Sequence, residues 1–67
     1  MKAQLINLGR NNVTKEVHVK DLEALKREIN RHVFYKDWTI EKSHKEENEY
    51  YVIHGMDVIG TVKILER

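Results

Sequence analysis

Phe34, Tyr35 and Trp38 fall within one short stretch, with Lys36 between them and Arg31 just before. Tyr50-Tyr51 follow further along, with Lys42 and Lys45 in the interval. Aromatic faces stack on nucleobases, and neighbouring cations hold phosphates or add cation–π attraction. Tyr35, Lys36, Trp38, Tyr50 and Tyr51 are therefore candidate contacts for a ligand or partner. Arg10 joins them because it sits in Gly9-Arg10-Asn11-Asn12. The backbone amides of such a turn, together with an arginine, can hold an anion. Each candidate also has a plainer reading. Trp38 and one tyrosine would fill a core, the other tyrosine would line an interface, and Arg10 would sit on an ordinary hairpin turn.

Other chemistries find little footing. The four histidines are His18, His32, His44 and His54, and no pair has the spacing of a zinc motif. His44 and His54 fall on adjacent expected strands and could approach across a hairpin. No metal or other cofactor is expected. Ser43 is the only serine and lacks a glycine-rich elbow. Thr14, Thr39 and Thr61 read as ordinary strand threonines. Gly9, Gly55 and Gly60 are too far apart for a phosphate loop or dinucleotide fingerprint. Catalysis is not expected, because a lone sheet and helix seldom enclose a shaped, dry pocket.

The elements that would position these residues read as β-β-α-β-β-β. Lys2 to Leu8 forms a first strand, with Ala3 and Leu5 on one face and Ile6 and Leu8 on the other. Gly9 to Asn12 is a turn, since glycine and asparagine tolerate positive φ. Val13 to Val19 alternates, with Val13, Val17 and Val19 inward. Asp21 is the expected N-cap of a helix. Leu22, Leu25, Ile29 and Val33 then make one helical face, so the helix should run to about Phe34. Glu23 and Arg27, four apart, should pair along it. Trp38–His44, Glu49–His54 and Val58–Leu65 form a meander of three strands, and Gly60 marks a bulge or a close backbone approach. The fold class is α+β: one antiparallel sheet with one helix on one face. Leu25, Ile29 and Val62 should share the core.

Residues 1–67 make one domain. A chain of this size buries only about 60% of its unfolded surface and is marginal alone. There is no cysteine, which excludes disulfides and suits a reducing cytoplasm. No apolar run reaches the ~18 residues of a membrane span. Net charge is +1, too small for a dedicated nucleic-acid binder. Apolar residues nevertheless occupy both strand parities near the end. Tyr51, Ile53, Ile59 and Leu65 alternate with Tyr50, Val52, Val58, Val62 and Ile64. One helix covers one sheet face, so a second copy or a partner should cover the other. A two-fold dimer is the first expectation.

The opening Met1-Lys2-Ala3-Gln4-Leu5-Ile6-Asn7-Leu8, the Val19-Lys20-Asp21-Leu22-Glu23-Ala24-Leu25 junction and the charged ending Ile64-Leu65-Glu66-Arg67 give the chain a compact, cysteine-free style. In size and style it resembles small proteins encoded by phages of Gram-positive bacteria. Together with the two-faced strands and the absence of catalytic motifs, that resemblance implies a non-catalytic homo-oligomer in the host cytoplasm. It would inhibit a host protein or sequester a small anionic, nucleotide-like immune signal. A small nucleic-acid-binding regulator is the alternative expectation.

Overall fold

The two ends of the chain form the middle of a single five-stranded antiparallel sheet. The computed structural model describes residues 1–67. Its elements are β1 (Lys2–Leu8), β2 (Val13–His18), α1 (Leu22–Asn30), β3 (Thr39–Lys42), β4 (Glu49–His54) and β5 (Asp57–Glu66). The strand order is β2-β1-β5-β4-β3. β5 is the longest strand at ten residues and pairs with both β1 and β4. The expected α+β architecture and element order are those observed.

The core is Ala3, Leu5, Leu8, Val17, Leu25, Ile29, Val52, Val62 and Ile64, all on the side that faces α1. Leu25, Ile29 and Val62 belong to it, as their spacing implied. Complete burial of a side chain such as Leu25 or Ile29 contributes about 1.5–3 kcal/mol.

Two irregularities change which side chains reach that core. In β1, Asn7 adopts φ 49° and the register shifts between Leu5 and Leu8. The shift turns Leu8 inward beside Leu5, so Leu8 does not share a face with Ile6 as strict alternation required. In β5, Val52 pairs with Gly60 but Ile53 pairs with Val58, which leaves Ile59 as the extra residue of a bulge. Ile59 packs against the core, while Val58 joins Ile53 on the opposite face. Strict alternation had placed these two residues the other way round. Gly60 beside the bulge is also a close approach. A Cβ there would lie 2.5 Å from Leu8 Cδ1 and 3.0 Å from Leu8 Cα.

The helix begins as expected. The Asp21 side chain accepts a hydrogen bond from the Ala24 amide at 2.9 Å, and Asp21 itself is extended. It ends earlier than expected, at Asn30. β2 lies at one sheet edge and β3 at the other, so the chain must leave the helix to cross between them. It crosses tightly beneath the first hairpin, where any Cβ on Gly9 would collide with the His32 carbonyl oxygen. Gly9 at φ 72° meets both the turn and this approach. Val33 still packs on the core, but from the loop.

Glu23 and Arg27 form no ion pair. Instead Glu28 meets Lys15 of β2 at 3.1 Å, Arg31 at 3.4 Å and His32 at 3.8 Å. The lysine hydrogen bond leads the causes that hold the Glu28 carboxyl below its ordinary value, with the Lys15, Arg31 and His32 charges adding to it.

Candidate functional site

Residues 31–38 connect α1 to β3 and carry the candidates Tyr35, Lys36 and Trp38, with Phe34 beside them. Four contacts fix their positions. The Tyr35 ring stacks on His54 of β4, with centroids 3.7 Å apart and planes at 9°. His54 Nδ1 lies 3.0 Å from Asp37 Oδ1. The Arg10 guanidinium sits 5.5 Å from the Phe34 ring centroid, a cation–π distance. Trp38 Nε1 donates a hydrogen bond to Asn30 Oδ1 at 3.0 Å.

These contacts divide the six candidates among different regions. Arg10 and Tyr35 line one recess of about 390 Å³, together with Ile6, Phe34, Val58 and Ile59. Lys36 is exposed on the loop beside Tyr35. Trp38 is half-buried and lines a shallow depression with Lys26 and Arg27 of α1. Tyr50 lies on the helix side of the sheet, opposite Val62, with the Lys42 ammonium 5.9 Å from its ring centroid. Tyr51 is on the other side, and its phenol oxygen accepts a hydrogen bond from Ser43 at 3.3 Å. Successive strand residues point to opposite faces, so Tyr50 and Tyr51 cannot serve one pocket.

The aromatic end has a further property that strand patterns do not reveal. Phe34 is 78% exposed, Met56 is fully exposed and Val58 is 57% exposed, with Tyr35 also open to solvent. Four of the six exposed large hydrophobic residues thus belong to the 31–38 loop, the β4–β5 turn and the start of β5, which the Tyr35–His54 stack holds together. The remaining two are Leu22 and Leu65. The sequence signal for Met56 was a large apolar side chain inside a glycine-led turn, Gly55-Met56-Asp57. Val58 became part of this end only through the bulge at Ile59.

This end continues into the sheet face away from α1. Ile6, Tyr51, Ile53 and Thr61 lie there half-buried, without a helix over them. No family model, curated protein or solved structure matches this chain. What the site does is therefore read from its own geometry.

The histidines do not converge. His54 ends β4 and His44 lies in the turn after β3, at opposite ends of that hairpin. No group of three or more His, Cys, Asp or Glu side chains is placed to hold a metal ion. Ser43 is buried under Tyr51, and its oxygen also accepts the Lys45 amide at 3.0 Å. No helix is long and apolar enough to cross a membrane.

Proposed function

We propose that this chain is a non-catalytic binding protein that docks a protein partner through its aromatic end. The concentration of Phe34, Tyr35, Met56 and Val58 at that end carries the reading. Exposed apolar patches mark interaction surfaces, and Tyr, Phe, Met and Arg are the residues enriched at interface centres. Arg10 over Phe34 adds a cation that can meet a carboxylate of the partner. The open sheet face beside this end offers a surface for a second copy, which makes a homodimer part of the same proposal. The cysteine-free composition suits work in the cytoplasm. A protein inhibitor of this kind matches the style of the small phage proteins the chain resembles.

A nucleotide trap finds less support. It needs the aromatic and basic candidates to face one space, whereas Tyr51 lies on the opposite sheet face from Tyr50 and Trp38, and Arg10 and Tyr35 line a different recess.

A photocrosslinking residue placed at Met56 in cells tests the reading. It should join the chain to one protein species, while the same residue at Glu47, on the opposite hairpin end, should not. Equal labelling from both positions would remove the proposal. Sedimentation of the purified chain decides whether that species is a second copy. An 8.0 kDa monomer at all micromolar concentrations would exclude the homodimer.

A further inference from the structure

A second recess lies on the helix side of the sheet, away from the aromatic end. Glu28 ties α1 toward the β2 edge through Lys15. A helix of nine residues held there leaves Ile40 of β3 and Tyr50 of β4 half-covered. Between them and Leu22 of α1 runs an apolar groove of about 310 Å³, floored by Val62 and Ile64. That volume falls at the small end of the ~300–1,000 Å³ range of ligand pockets.

Its charges are of one sign. Lys26 from α1, Lys42 from β3 and Arg67 beyond β5 line the groove, and no aspartate or glutamate does. None of the three cations forms an ion pair, whereas Lys2, Lys15 and Lys63 each meet a glutamate. The Lys42 ammonium is held over the groove by the Glu46 carbonyl at 3.3 Å and by the Tyr50 ring. Apart from the Tyr50 phenol, the lining side chains carry no neutral hydrogen-bonding group. A nucleobase would therefore leave its edge unpaired there, and unpaired polar groups are costly when covered. A hydrocarbon body meets no such penalty, and a single anionic head suits the unpaired lysines.

We propose that this groove binds an amphiphilic organic carboxylate. Its apolar body would lie against Leu22, Ile40, Tyr50 and Ile64, with the head between Lys26 and Lys42. This site is independent of the protein-docking end and stands or falls separately from it.

Titration of the ¹⁵N-labelled full chain with decanoate, decanol, decyltrimethylammonium and adenosine monophosphate tests the proposal. Decanoate should give saturable shifts at the amides of Leu22, Lys26, Ile40 and Tyr50. Decanol should bind there about fivefold more weakly or worse, and the ammonium amphiphile should not saturate, because only the carboxylate gains from the lysines. Lys42→Gln, at an exposed position, should weaken decanoate about two- to fivefold and leave decanol unchanged. Raised salt should weaken decanoate alone. Equal affinity for decanoate and decanol would overturn the assignment, as would shifts confined to residues outside the groove. Tighter binding of adenosine monophosphate at the same amides would replace the carboxylate class with a nucleotide.

Discussion

The Tyr35 ring lies flat on His54, 3.7 Å away, and this stack joins the loop after α1 to the last residue of β4. Asp37, two residues along the same loop, reaches His54 from its edge at 3.0 Å. The crossing segment has no secondary structure of its own between Arg31 and Trp38. Its position depends on these side-chain contacts, on Arg10 over Phe34 and on Val33 against the core.

His54→Ala should release this loop without unfolding the sheet. An aromatic pair contributes about 0.5–1.5 kcal/mol beyond its buried area, so global stability should fall by about that amount. Amide hydrogen exchange should accelerate at residues 33–37 more than in β1 or β5. Uniform acceleration across all strands would show that the stack does not act locally.

Leu25→Ala should cost about 2–5 kcal/mol, because the side chain is fully buried between α1 and the sheet. Small domains have about 5 kcal/mol or somewhat more in total. Urea unfolding should therefore begin at or near zero denaturant in the variant. A midpoint close to the parent's would mean that α1 contributes little to the core.

Gly60→Val should destabilise by about 1–3 kcal/mol through overpacking. The new Cβ would meet both the Leu8 side chain and the Leu8 Cα, and a backbone atom cannot rotate aside. Gly55→Ala is the instructive comparison. Its Cβ would meet nothing within 4 Å, so only its φ of 62° opposes the change. Calorimetry should give Gly60→Val the lower melting temperature of the two.

Stability should fall with acidification partly through Glu28. Its folded pKa lies below the ordinary value of 4.5, chiefly because Lys15 hydrogen-bonds the carboxylate. The pair therefore stabilises the fold above the ordinary glutamate pKa. That contribution is lost as pH drops through 4.5 and then through the lower folded value. Lys15→Met should remove it, so urea midpoints of variant and parent should differ more at pH 7 than at pH 2.5. A difference that does not narrow on acidification would show that Lys15 acts through packing instead.

The element order was legible because each signal is local. Asp21 caps the helix through the Ala24 amide three residues on, and Leu25 and Ile29 follow at helical spacing. Gly9, Asn12 and Gly55 mark turns because each takes a positive φ that few other residues tolerate. The core residues Leu25, Ile29 and Val62 followed from the same spacing rules. What strand periodicity could not supply was its own interruptions. Asn7 and Ile59 each break a two-residue repeat, and each break exchanges the faces of its neighbours. Leu8 entered the core that way, and Val58 left it.

The helix end and the candidate site were decided by distances that no local pattern contains. α1 stops at Asn30, and the chain next crosses from the β2 side of the sheet to β3 at the other edge, a path set by the strand order. The types of the aromatic and basic residues were plain from the sequence, but their grouping was not. Tyr50 and Tyr51 are adjacent in the chain and separated by the sheet. Tyr35 and His54 are far apart in the chain and in contact. The sequence by itself determined which side chains were available for burial, turning and capping. Only the tertiary structure decided which of them share a surface, because pairing register and loop path bring together residues that the chain keeps apart.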